Sequence, residues 1–261
     1  MDLELTDKKA LVTGSTKGIG RAIAETLLKE GAEVIINGRS EKSVSDALCE
    51  INKEIKEAKV SGIPCDFSKT DEIENLIRVT GKIDILINNV GIFKPKEFLD
   101  IPDADWQRFF DLNVMSGVRL SRAFLPHMLK QDWGRIIFIS SESGINIPEE
   151  MVHYGMTKTA QLAVSRGIAE GTKGTSVTVN AVLPGPTLSE GVREFANIGD
   201  GESKKEVEKQ FFETERPSSL IQRFATVQEV ANMVAFVASP LASATNGAAL
   251  KVDGGVVKTA F

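Results

Sequence analysis

Short runs dense in Val, Ile and Leu alternate along the chain with longer stretches in which apolar residues return every third or fourth position. In order, the short runs read KKALVTG, AEVIING, KVSGIPC, IDILINN, GRIIFISS, TSVTVNAVLPG and GAALKVDGG. Their nearly continuous apolar character fits strands covered on both faces. Alternation with helical patterns such as Ile19 to Lys29 and Ile73 to Val79 predicts a parallel sheet. The fold class is therefore α/β: a doubly wound parallel sheet of about seven strands with helices on both faces.

No linker, internal repeat or low-complexity tract divides this pattern, so residues 1–261 are expected to form a single domain. Residues 187–225, between the sixth strand and the last helix, are an insertion that mixes charge with Phe195, Phe211, Phe212 and Phe224. Long insertions at the carboxyl end of a parallel sheet belong to the site there, so this one is expected to cap a substrate. The plainer alternative is a solvated surface excursion.

Composition narrows the partners. An apolar fraction of 42% with 26% charged residues is ordinary for a soluble globule. The net charge of -5 repels polyanions, which argues against nucleic acid. No apolar run is long enough to span a bilayer, and MDLELTDKK lacks the blocks of a signal peptide, so a cytoplasmic protein without membrane partners is expected. Cys49 and Cys65 match no zinc or redox spacing and are expected to be free, buried thiols in a reducing compartment. With His127 and His153 the only histidines, no metal site is expected.

The first chemical signal follows the first strand, where T-G-x-x-x-G-x-G runs from Thr13 to Gly20. Gly14 permits a tight turn, Gly18 lets backbone N–H groups approach a pyrophosphate, and Gly20 lets the following helix pack closely. The helix amino terminus then faces the anion. Ser15, Thr16, Lys17 and Ile19 complete the turn and are counted with a coenzyme site. A nucleoside triphosphate loop would end in Gly-Lys-Ser/Thr, which this one does not. At the end of the second strand, INGRSEK carries Arg39 and no acid. An acid there would hold ribose hydroxyls, whereas Arg39 with Lys17 suits a 2'-phosphate, so NADP is expected over NAD. The missing acid also disfavours an S-adenosylmethionine methyltransferase.

The second signal is HYGMTKTAQ, which holds the chain's only tyrosine. Tyr154 and Lys158 lie four apart in a helical pattern, on one face and within mutual reach. A free phenol is only about one part in a thousand ionised at neutral pH, too little to pass protons efficiently. A neighbouring ammonium would lower its pKa.

Together these features resemble the short-chain dehydrogenase/reductase family, specifically its single-domain Rossmann-type members, over almost the whole chain. CDFS puts Asp66 where the family's acid contacts adenine, and INNVG matches its N-N-A-G element through Asn89 and Gly91, with Val90 in the alanine place. FISSESG puts Ser141 thirteen residues before Tyr154, the family's interval for a substrate-orienting serine, and Ser140 is expected to face away. Asn113 matches a helical asparagine beside a water that links the lysine to solvent. In LPGPTLS, Pro184 and Gly185 match nicotinamide-pocket residues, with Ser189 or Thr187 as the carboxamide hydroxyl. LKVDGG resembles a closing strand used in tetramers, implying a homo-oligomer. From Asp66 to Asn88 the interval is 22 residues, so the helix between is expected to be short.

The resemblance implies an NAD(P)-dependent oxidoreductase acting on a ketone or secondary alcohol. Tyr154 is then the general acid/base, Ser141 a donor to the same oxygen, Lys158 the ribose and tyrosine partner, and Asn113 the link to water. A nicotinamide sensor without turnover is the alternative, disfavoured because binding alone needs no proton donor. Among enzymes, 3-oxoacyl-carrier-protein reductases and sugar or steroid dehydrogenases remain open. Glu142, Ser143 and His153 are placed at the pocket, Glu142 alternatively as a solvated rim charge.

Overall fold

The alternation read from the sequence becomes one seven-stranded, all-parallel sheet in the order β3-β2-β1-β4-β5-β6-β7. The strands are β1 (Lys9–Val12), β2 (Glu33–Gly38), β3 (Val60–Pro64), β4 (Ile85–Asn88), β5 (Gly134–Ile139), β6 (Val177–Pro184) and β7 (Ala249–Val252). This computed structural model describes residues 1–195 and 202–260.

Helices α1 (Gly18–Lys29), α2 (Glu41–Glu54), α3 (Thr70–Thr80), α4 (Asp103–Phe110), α5 (Ser116–Lys130) and α6 (Val152–Glu170) connect the first six strands. After β6 come α7 (Glu190–Phe195), α8 (Glu202–Thr214) and α9 (Val227–Ala238). α3, between Asp66 and Asn88, has 11 residues.

Period-two alternation explains the continuous apolar strands. Ala10 and Val12 of β1 join Ile23 and Leu27 of α1, Val44 of α2 and Val234 of α9 in one cluster. Leu11, between them, joins Leu76 of α3 and Leu120 and Phe124 of α5 in the other. Each face of the sheet is therefore buried by helices, as parallel pairing requires.

The strand order reverses between β1 and β4, whose connections leave toward opposite faces. Such a switch point opens a crevice at the carboxyl ends of the strands. Of the cysteines, Cys65 is buried but Cys49 is exposed, correcting the expectation of two buried thiols. Cys49 lies on the outward stripe of α2, whose core side is Val44, Ala47 and Ile51. No helix among the described residues is long and apolar enough to cross a membrane.

Between α4 and α5 the helix widens into a π turn, Asp111–Met115, that carries Asn113 inward. Just beyond it, α5 approaches the sheet through Gly117, where a Cβ would lie 2.6 Å from Cε1 of Phe138 and 3.3 Å from Cγ of Asn88. Gly117→Ala is therefore expected to cost about 1–3 kcal/mol by overpacking. Urea unfolding measures it, and a variant with the wild-type midpoint would contradict this close approach.

Candidate active site

At the carboxyl ends of β1, β4, β5 and β6 lies a cavity of about 520 Å³. The glycine turn forms one end of it. Gly14 and Gly18 have φ of +58° and +60°, values that side-chain-bearing residues adopt at a cost. The turn is tied down from below. Asn89 Nδ2 donates to the carbonyls of Thr13 and Gly14, both at 3.0 Å. Thr13 Oγ1 donates to Ile87 O at 3.1 Å and accepts from the N–H groups of Asn89 at 2.9 Å and Val90 at 3.2 Å. Asn37 Oδ1 accepts from Gly14 N at 3.1 Å.

The turn residues divide by role. Ser15 is fully buried, its hydroxyl donating to Val12 O at 2.6 Å and accepting from Asn37 N at 2.9 Å, so its side chain braces the turn. Thr16 packs toward β2, where a Cβ on Gly38 would meet its methyl at 2.5 Å. Lys17, Gly18, Ile19 and Gly20 line the cavity. Gly20 is needed against the turn itself: a Cβ there would lie 2.5 Å from Gly14 O.

Arg39 is exposed at the end of β2 and is not part of the cavity wall. Its charge reaches Asp66, whose carboxyl is held below its ordinary value by hydrogen bonds from Ser68 N and Oγ, then by Lys69 and Arg39. The two therefore sit together at the β2–β3 edge beside the turn. Lys17 and Arg39 approach the crevice from different positions and do not flank a shared wall.

The other end of the cavity is built by α6. Lys158 is buried, its Nζ donating to Ile139 O at 2.9 Å and Gln161 Oε1 at 3.3 Å. It lies 5.6 Å from the centroid of the Tyr154 ring. Gly91 lies beside the amine, where a Cβ would stand in ordinary contact, 3.4 Å from Nζ and 3.6 Å from Asn113 Oδ1. Asn113 Oδ1 accepts from Ile92 N at 2.7 Å, and its Nδ2 donates to Ile92 O at 3.0 Å and Thr157 Oγ1 at 2.9 Å. The Asn113 carbonyl takes the Gln161 amide, Nε2 to O, at 2.6 Å.

Strand alternation separates the two serines after β5. Ser140 Oγ donates to Lys158 O at 2.8 Å, while Ser141 shares a hydrogen bond with the Tyr154 hydroxyl and accepts from Ser143 N at 3.1 Å. At the end of β6, a Cβ on Gly185 would lie 2.6 Å from Cα and O of Asp253, so this glycine admits the chain that follows β7. Thr187 Oγ1 donates to Gly185 O at 2.9 Å and Ser189 Oγ accepts from Val192 N at 3.3 Å. Both hydroxyls line the cavity with Pro184.

Glu142 and Ser143 line it too, but His153 does not. His153 turns into the seam between α4 and α6, with its ring centroid 4.1 Å from that of Phe109 and 6.0 Å from that of Trp106. Adjacent helix positions point about 100° apart, which sends His153 away from the face that Tyr154 occupies. From the insertion, Phe211, Arg216 and Phe224 reach the cavity. Phe195 belongs to a stretch whose side chains lie outside the described ones.

One electrostatic expectation reverses. Burial pushes the Tyr154 phenol up to about 12, with the Ser141 hydrogen bond opposing it, Glu142 adding to it and Arg216 opposing it. Burial also pushes Lys158 down to about 7. The amine does not acidify the phenol in the chain alone, because both groups are stripped of water and the amine's protons go to Ile139 O and Gln161.

Sequence reading passed over Gln161, Asn37 and Arg216. Gln161 stands three residues after Lys158 on the same face, a local signal that was available. Asn37, a poor strand former ending β2, was another. Arg216 arrives only through the fold of the insertion and carries no local signal.

The geometry has close relatives. A family model described as "Enoyl-(Acyl carrier protein) reductase" matches residues 14–257. An oxidoreductase of Bacillus subtilis, YvaG, is 48% identical over the full length of both chains. The 3-oxoacyl-[acyl-carrier-protein] reductase FabG of Aquifex aeolicus is 34% identical, covering 98% of this chain and all of the relative. The crystal structure of L-sorbose reductase from Gluconobacter frateurii, complexed with NADPH and L-sorbose, superposes with a TM-score of 0.90 at 29% identity, covering 99% of this chain and all of that one.

The buried amine makes a prediction about stability. A lysine whose folded value is about 7 against an ordinary 10.5 destabilises the fold fully below the first, and ever less as pH rises toward the second. Lys158→Met is expected to melt above the wild type near pH 6, with the gap narrowing as pH climbs through that window. A gap independent of pH, followed by thermal melts, would show that the amine is not desolvated.

Proposed function

The chain belongs to the short-chain dehydrogenase/reductase family of oxidoreductases, and on that premise we propose that it transfers hydride between NADPH and a ketone or secondary alcohol, with Tyr154 as general acid and base. The observation that carries this reading is the convergence of Ser141, Tyr154 and Lys158 on one wall of a cavity whose other end is the glycine turn. Two hydroxyls in mutual contact address a single oxygen atom. That arrangement suits a carbonyl or carbinol oxygen better than a carbon–carbon double bond.

The turn fits a dinucleotide. Its positive-φ glycines, the start of α1 at Gly18 and the open wall beside it leave backbone donors for a pyrophosphate. Asn89 and Gly91 hold the floor, and Pro184, Gly185 and one of the hydroxyls of Thr187 and Ser189 would border the nicotinamide. When bound, the coenzyme supplies or accepts the hydride. Arg39 and Lys17 favour NADP over NAD, in keeping with the NADPH complex of the similar reductase.

In the reductive direction Tyr154 gives its proton to the developing alkoxide while Ser141 donates a hydrogen bond to the same oxygen. A phenol held above its ordinary value stays protonated until that transfer. Lys158, with a value near neutrality, changes protonation at little cost and stabilises the phenolate left behind. Gln161 and Asn113 hold the amine in place. Phe211, Arg216 and Phe224, which line the cavity, would border the substrate. A nicotinamide sensor would have no use for the Ser141–Tyr154 contact.

Following NADPH absorbance with a ketone substrate tests the assignment. Tyr154→Phe is expected to lose on the order of a hundredfold or more in kcat while NADPH binding, read by fluorescence, persists. Full turnover in that variant would remove Tyr154 from the chemistry. Arg39→Ala is expected to weaken NADPH about tenfold or more and leave NADH unchanged, since one charged hydrogen bond is lost. Equal effects on both coenzymes would overturn the preference.

A further inference from the structure

Next to the reacting groups stands an ion pair that the chemistry does not use. Glu142 directly follows Ser141 and is 3% exposed. Its Oε1 accepts from Arg216 Nε at 2.9 Å and from Ser143 Oγ at 3.2 Å. Its Oε2 is buried with no hydrogen-bond partner among the described residues. Arg216 comes from the loop after α8, 74 positions away in sequence, and its side chain is only 11% exposed.

The guanidinium is not saturated. Nη1 donates to Glu215 O at 2.8 Å, and Nη2 stands 3.9 Å from Glu150 Oε1, beyond hydrogen-bond range. Glu142, Glu150, Glu215 and Arg216 all line the cavity. Both Glu142 and Arg216 act on the phenol of Tyr154, so they lie within electrostatic reach of the reacting oxygen.

Resting on the reading of Tyr154 as the proton donor to a carbonyl oxygen, we infer that Arg216, Glu142 and Glu150 form a substrate subsite for an uncharged ketone bearing a hydroxyl beside its carbonyl. A hydroxyl both accepts and donates, which suits a wall offering a guanidinium N–H and a carboxylate in the same place. A carboxylate substrate would add a third anion where one guanidinium already faces two, Glu142 at 2.9 Å and Glu150 at 3.9 Å. A bare ketone would leave Nη2, whose nearest carboxylate is 3.9 Å away, without a partner, a cost that discriminates strongly. The apolar side chains of Phe93, Met151 and Phe211 take the carbon skeleton.

The test is a matched comparison with NADPH: cyclohexanone, alpha-hydroxycyclohexanone and oxocyclohexanecarboxylate. In the wild type, kcat/KM for the hydroxy ketone is expected to exceed that for either other compound by roughly tenfold or more. In Arg216→Met the ratio of hydroxy ketone to ketone is expected to fall toward one. In Glu142→Gln, which removes one anion, the carboxylate is expected to gain relative to the ketone. These readouts are ratios, and the wild-type comparison stands even where a variant does not fold. A wild-type preference for cyclohexanone or the carboxylate overturns the subsite while leaving Tyr154 in place, and so does an unchanged ratio in folded Arg216→Met. Turnover of none of the three, with NADPH still bound, counts against the Tyr154 reading and takes the subsite with it.

Discussion

Desolvation of an amine and a phenol, one helical turn apart, is the constraint around which this chain is organised. Lys158 is buried with its amine donating to the Ile139 carbonyl at the end of β5 and to Gln161 of α6, beside Gly91. Each compensation comes from a different element, so strand order, helix register and the π turn at Asn113 all have to be right together. The cost is a lysine pushed down by burial to about 7. Strain of this sort persists at sites where protonation must change, since elsewhere a hydrophobic side chain would be more stable.

The opposite end of the cavity is made by backbone and amide groups with little charge. Thr13, Asn37 and Asn89 stitch the ends of β1, β2 and β4 around Gly14, so the turn is held before any ligand arrives. Preorganised N–H groups bind an anion without the entropy cost of ordering a loop. The segment after β6 reaches the end of the cavity opposite the turn through Arg216, which pairs with Glu142, and packs on itself through Phe211, Phe212 and Phe224, whose ring centroids lie 4.9 to 5.2 Å apart.

Much of the fold was legible because its signals are local. Each apolar run became a strand of the sheet, and the doubly covered faces follow from residues such as Leu11 pointing opposite to Ala10 and Val12. The shared face of Tyr154 and Lys158 follows from the helix period, whereas the choice of Ser141 over Ser140 rests on the interval that the family resemblance implies. Three kinds of fact were not legible. The exposure of Cys49 depends on which stripe of α2 meets the core. The contact of Arg216 with Glu142 depends on tertiary closure. The protonation of Tyr154 depends on how much water each group loses, and a spacing of four residues cannot report that. The family model's description points to an enoyl thioester and FabG to an oxoacyl one, whereas the similar reductase acts on L-sorbose.

Because the chain contains a single tyrosine, tyrosinate absorbance reads Tyr154 and nothing else. The account turns on that phenol being held protonated by burial in the free protein and released toward its anion only when coenzyme is present. Titration without coenzyme should show ionisation delayed to about 12, and titration with NADP bound should bring it down. A phenol that ionises near its ordinary value of 10, with and without coenzyme, would contradict it.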